Sequence, residues 1–170
     1  MTAIFSDELA MLAIQALERT AFVLVDAVEN EEEHHWTEEE ATGCLFSRIQ
    51  YTGPASGQII LAGSHGFVIE LASSLLGVEP EEVDIETEGK DALKELANIL
   101  GGSVLVELDG QHIDYRLQVP EECKIADWPT ELEVWAHCRL ASEEEWLEIV
   151  WSSDHVGSEG KPIGRPPCPQ

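Results

Sequence analysis

Basic residues are scarce in this chain: nine Lys and Arg stand against 34 Asp and Glu among 170 residues, a formal net charge of −25. A surface so charged repels phosphate backbones and anionic lipids, so nucleic acid and membrane surfaces are poor partners. A salt-rich cytoplasm selects the same excess for solubility, and composition does not separate that origin from a chance of lineage. Long hydrophobic runs are missing too. No segment reaches the roughly 18 consecutive apolar residues of a membrane span, and the first residues lack a basic stretch followed by an apolar one, so neither export nor insertion is expected. Cys44, Cys123, Cys138 and Cys168 are scattered, with no Cys-x-x-Cys pair and no zinc-type spacing to histidine. They read as free thiols in a reducing cytoplasm, and no metal is expected on this chain. What is present argues for a folded domain: 44% of the residues are hydrophobic, enough for a sizeable core.

The most informative stretch runs from Glu88 to Val106. Asp91, Glu95 and Asn98 are spaced four and three apart, which on a helix places them within an arc of about 60°. Leu93, Leu96, Ala97 and Leu100 fall on the opposite side, so the segment reads as an amphipathic helix with a buried stripe and an Asp/Glu/Asn edge. Gly102 follows Asn98 by four residues on nearly the same face, where a missing side chain admits another molecule's backbone. The plain alternative is an ordinary solvated helix face with a fraying end.

Elsewhere the pattern predicts a helix from Ser6 to about Glu29, capped by Ser6 or Asp7 and striped by Leu9, Leu12, Ala13, Ala16, Leu17, Leu24, Ala27 and Val28. An acidic connection spans 30–41, in which His34 and His35 read as part of a solvated loop rather than as metal ligands. Strands are expected over Thr42–Thr52 and Gln58–Ala62, joined through Gly53 and Pro54, followed by a helix over Phe67–Leu76 that ends at Gly77. Alternation predicts a half-buried strand over Gln111–Val119, ended by Pro120, and antiparallel strands over Glu131–Leu140 and Glu145–Trp151 with one wet face. Trp128, Trp135, Trp146 and Trp151 are expected in core or strand-edge packing. Residues 153–170, rich in Gly, Pro and Ser, read as a disordered tail after a domain over 1–152.

A helix leading into a strand pair occurs twice, from Asp7 to Ala62 and from Glu88 to Leu140. This predicts an α+β fold built on a duplicated helix and strand-pair unit, a mostly antiparallel sheet with two long helices packed on it. Glu18 then stands where Glu95 does, and Ala21 where Asn98 does, so one half alone keeps the polar pair.

Asp91, Glu95, Asn98 and Pro120, with Gly102 after the Asn, match in spacing a pattern of Asp or Ser, Glu, Asn and a later Pro. In this the chain resembles the CheC, CheX and FliY family of chemotaxis phosphatases over about residues 6–151. With the Glu/Asn pair in one half and no flagellar-switch domain after it, it is most similar to CheX. The resemblance implies a CheC/CheX-like fold and a phosphatase acting on the aspartyl phosphate of a CheY-like receiver domain, in chemotaxis or related two-component signalling. Asn98 would position the attacking water and Glu95 would pair with the receiver's Lys. Mg²⁺ is expected in the partner receiver and no cofactor on this chain; relatives also dimerise through their sheets, so a homodimer is possible. The competing reading is a non-enzymatic docking module that holds a signalling partner with the same face.

Overall fold

The computed structural model describes residues 2–28, 36–53, 56–109, 115–129 and 134–153. Helix α1 (Thr2–Thr20) leads into a short strand β1 (Asp26–Val28), then α2 (Glu38–Thr42), β2 (Cys44–Thr52), β3 (Gly57–Ser64) and α3 (His65–Leu76). A 3-10 turn (Pro80–Glu82) and a π-helical turn (Ile85–Gly89) run into α4 (Lys90–Asp109). The short strands β4 (Arg116–Leu117) and β5 (Glu121–Glu122) precede the hairpin of β6 (Val134–Ser142) and β7 (Glu145–Ser153).

The sheet runs β1-β6-β7-β3-β2-β4, with β5 also on β2, and every pairing is antiparallel. The two hairpins meet at the centre through β3 and β7. Helix α1 packs on β6 and α4 packs on β2, so each long helix covers a strand supplied by the other half of the chain. This is the α+β architecture expected from the repeated helix and strand pair. Alternation explains which side is buried: Ile49, Tyr51, Ile59, Leu61, Leu147, Ile149, Trp151, Ala136, Cys138 and Leu140 all face the helices and join one core with Leu9, Ala13 and Leu17 of α1 and Leu93, Leu96, Ala97 and Leu100 of α4. No described helix is long and apolar enough to cross a membrane.

Helix α3 ends at Gly77 as expected but begins at His65, two residues earlier than the apolar pattern suggests. Ser64 accepts from the Phe67 amide at its start, and Gly77, at φ 69°, closes it in the left-handed conformation with its N–H donating to Ser73 O at 2.9 Å. Helix α1 differs from expectation at both ends. Ser6 lies inside it and accepts from the His137 amide at 3.2 Å rather than capping it. It stops at Thr20, not Glu29, because Phe22 takes φ 53° and the Val23 amide donates back to Leu17 O at 3.3 Å, a closure that usually employs glycine. Beyond it the chain is extended: Val23 and Val25 are buried while Phe22 and Leu24 are exposed.

Two strand expectations also need correction. The predicted strand over Gln111–Val119 is reduced to Arg116–Leu117 among the described residues, and Val119, assigned to its buried side, is 84% exposed. The face of the last strands turned away from the helices is not uniformly wet. Trp36 packs there against Phe46, Trp128 and Trp146 with ring centroids 5.3–5.5 Å apart, and the Arg139 guanidinium lies 4.6 Å from the Trp146 ring centroid. Trp151 instead enters the main core, its indole N–H donating to the Tyr51 hydroxyl at 2.8 Å. The predicted tail, His34 and His35, and the Trp135 side chain lie outside the described residues.

Candidate functional site

Helix α4 is fixed from its first turn. In the π-helical turn before it, Asp84 Oδ1 accepts from the Glu86 amide and Glu88 Oε2 accepts from the Asp84 amide, each at 3.0 Å. Lys90 pairs with Glu86 Oε2 at 2.9 Å and with Glu122 Oε2 of β5 at 3.4 Å; the hydrogen bond to Glu86 leads the upward shift of its pKa. Below the helix the buried Ser47 hydroxyl of β2 donates to Leu93 O at 3.4 Å. Farther along, a Cβ on Gly101 would stand 2.9 Å from Leu117 Cδ1 and 3.0 Å from Ile49 Cγ2. The absent side chain therefore lets α4 lie close against the sheet.

The opposite edge of α4 is open. Asp91, Glu95 and Asn98 are all exposed, and no heavy atom lies within 4 Å of the place a Cβ on Gly102 would occupy. The helix thus brings together Glu95, Asn98 and the bare backbone at Gly102, as their spacing required. Pro120, half-buried, immediately precedes β5, which lies beside β2 and reaches α4 through the Lys90–Glu122 pair. In the first half, Glu18 is exposed but Ala21 is fully buried in the turn that ends α1, so no second polar pair is offered.

Chemically, the edge presents a neutral carboxamide with donor and acceptor atoms one helical turn from a carboxylate. Asp91 sits in the first turn, where its charge favours the helix dipole, and its Oδ1 holds Lys94 Nζ at 3.1 Å. Apolar periodicity does not single out Lys94; its sequence signal is the i, i+3 spacing from Asp91. Among the described residues no thiol lies on this edge. Burial is the main cause that pushes Cys44 up to about 11 and Cys123 and Cys138 up to about 12, with secondary repulsion from Glu148 at Cys44 and Cys138 and from Asp127 at Cys123. Among the described residues no group of three or more His, Cys, Asp or Glu is arranged to hold a metal ion.

The family described as chemotaxis phosphatase CheX matches residues 45–136, a span that holds Asp91, Glu95, Asn98, Gly102 and Pro120. No curated protein matches the chain in sequence. Among solved structures the chain is similar to the chemotaxis protein CheX of Vibrio vulnificus, with a TM-score of 0.67 and 15% identity over 91% of this chain and 99% of that one. It is similar also to a chain of the CheX-CheY-BeF3-Mg+2 complex of Borrelia burgdorferi, with a TM-score of 0.63 and 14% identity over 89% and 98%. FliY of Thermotoga maritima gives a TM-score of 0.53 and 19% identity over 91% and 92%. At such identities the likeness to these structures is one of fold.

Proposed function

Because this chain belongs to the family of the chemotaxis phosphatase CheX, we propose that it hydrolyses the aspartyl phosphate of a CheY-like receiver domain, with Asn98 and Glu95 as the working pair. The single observation that carries this reading is the open edge of α4, where the exposed Glu95 and Asn98 share one face with half-buried Gly102, whose Cβ position is uncovered, on a helix anchored to the sheet behind it.

A receiver brings its own Mg²⁺ and Lys to the phosphoryl group, so its partner has mainly to position a nucleophile. The Asn98 carboxamide accepts from and donates to a water without adding a charge that would repel phosphoryl oxygens. That water attacks phosphorus as the bond to the acyl oxygen breaks, which gives inorganic phosphate and the free receiver carboxylate. Glu95 pairs with the receiver's Lys and fixes the register of the two proteins. Gly102 admits the partner's surface beside them. The exposed edge strand β1 is a route by which two copies extend one sheet, so a homodimer is part of the proposal.

The test is phosphate release from phosphorylated CheY-like receivers with Mg²⁺, with and without this protein. Asn98→Ala should lower the acceleration by about 100-fold or more while the complex persists, the loss typical of one positioned group at a reaction centre. Glu95→Ala should weaken the complex. Full acceleration by the Asn98 variant overturns the assignment, and binding of receivers without acceleration by the parent points to the docking module.

A further inference from the structure

Two cations lie on α4, and they differ in how they are held. Lys90 is engaged by two carboxylates, Glu86 and Glu122, from two other segments. Among the described residues Lys94 pairs with Asp91 alone, on the same helix; its own side chain is half-buried, whereas that of Asp91 is 76% exposed. A pair with one partner so open to water adds little to stability and exchanges readily for a better partner. Lys94 also occupies a particular place. It precedes Asn98 by four residues, about 40° around the helix and about 6 Å along its axis, so the two are surface neighbours. In a chain of net charge −25 it is the cation nearest the candidate site on that helix.

We infer that Lys94 is the residue by which this protein tells a phosphorylated receiver from an unphosphorylated one: on docking, its ammonium leaves Asp91 and pairs with a phosphoryl oxygen. This rests on the reading of α4 as the receiver-docking face and adds to it a source of selectivity. Glu95 and Asn98 do not supply it. The carboxylate repels a dianionic phosphoryl group and the carboxamide is neutral, whereas a released lysine gains a charge-assisted contact that exists in the phosphorylated state alone. The local positive charge also offsets the repulsion between this acidic protein and an anionic group. Asp91 is then a positioning residue that keeps Lys94 along the helix, beside Asn98, until the exchange.

The test compares the affinity of the full chain for CheY-like receivers with Mg²⁺, each bare and carrying beryllofluoride as the phosphoryl stand-in. The parent is expected to prefer the loaded form by about tenfold, the value of one charge-assisted contact. Lys94→Met should remove that preference, Lys94→Arg should restore it, and Asp91→Asn, which frees the ammonium, should increase it severalfold. Asn98→Ala should keep the preference in full, which separates recognition from turnover. A Lys94→Met protein that still prefers the loaded receiver overturns the inference while leaving the phosphatase reading intact. A parent that shows the Lys94-dependent preference but releases no phosphate overturns the phosphatase reading and leaves this one. Failure to bind any receiver in either form overturns both.

Discussion

Adjacent glycines on α4 should respond to the same substitution with opposite signs, and the pair gives a sharp test of how the helix is used. At Gly102 an added methyl meets nothing within 4 Å, so Gly102→Ala carries the intrinsic helix-propensity gain of about 0.8–1 kcal/mol and no packing cost. For a domain of this size that is about 2–4 °C in Tm. At Gly101 the methyl stands 2.9 Å from Leu117 Cδ1 and 3.0 Å from Ile49 Cγ2. Leu117 is half-buried on a two-residue strand and can yield; Ile49, fully buried in an interior strand, cannot. Overpacking of about 1–3 kcal/mol then outweighs the propensity gain, and Gly101→Ala should be destabilised by roughly 1 kcal/mol. Urea or thermal unfolding of the two variants measures these terms. The functional readout separates stability from use: if the bare backbone at Gly102 faces the receiver, the more stable Gly102→Ala protein should dephosphorylate it about tenfold more slowly, since a methyl now stands in the interface. A Gly102→Ala protein that is both more stable and fully active would refute the placement of the docking face on this edge. Loss of stability at Gly102 would refute the geometry itself.

Three further outcomes are expected. Leu96→Ala, at a site 1% exposed beneath the polar edge, should cost about 2–5 kcal/mol in unfolding free energy, whereas Glu95→Gln one position away should stay within about 0.5 kcal/mol of the parent; equal effects would mean that the buried and open sides of α4 are misassigned. Ser64→Ala should lose about 1–3 kcal/mol by chemical denaturation, because one hydroxyl accepts from the Phe67 and Trp146 amides and donates to Glu145 Oε2 at 2.5 Å. Cys44, Cys123 and Cys138 should resist alkylation at pH 8 in the native protein and react on unfolding. Their thiols ionise near 9.0 when unfolded but at about 11–12 when folded, so the folded state holds the protons longer; their contribution to stability is fully present below pH 9 and is lost as pH rises from there through about 11–12. Rapid native labelling of any of these three at pH 8, located by peptide mapping, would contradict that burial.

Helix α4 was legible because its period of 3.6 is strong and its polar edge lies opposite an unbroken apolar stripe. Residue spacing alone therefore placed Glu95 and Asn98 together on the exposed side. The end of α1 was not legible in the same way. Leu24, Ala27 and Val28 continue a helical stripe on paper, and the stop depends on a non-glycine residue, Phe22, in a left-handed turn. The extended run after that turn is hidden too. Phe22, Val23, Leu24 and Val25 are all apolar, so their alternation between exposed and buried positions leaves no trace in residue type. By contrast, Thr37 and Glu40 do spell a capping box, which forms at the start of α2, although the surrounding acidic run suggested only a loop. The aromatic cluster over the outer side of the sheet was beyond periodicity altogether. It draws Trp36, Phe46, Trp128 and Trp146 from four separate segments, and only the tertiary arrangement decides that they meet.

The exchange of helices between the two halves has a consequence for how the chain is made. While the first half emerges during synthesis, α1 has no β6 to cover and β3 has no β7 beside it; both wait for residues far along the chain. Contacts so distant in sequence close slowly, and the intermediate must carry bare strand edges until the final hairpin arrives. Cutting the gene between α3 and α4 should therefore yield two insoluble fragments rather than two small domains. The same interlocking means that damage to the last strand is felt at once beneath α4, whose open edge was translated long before.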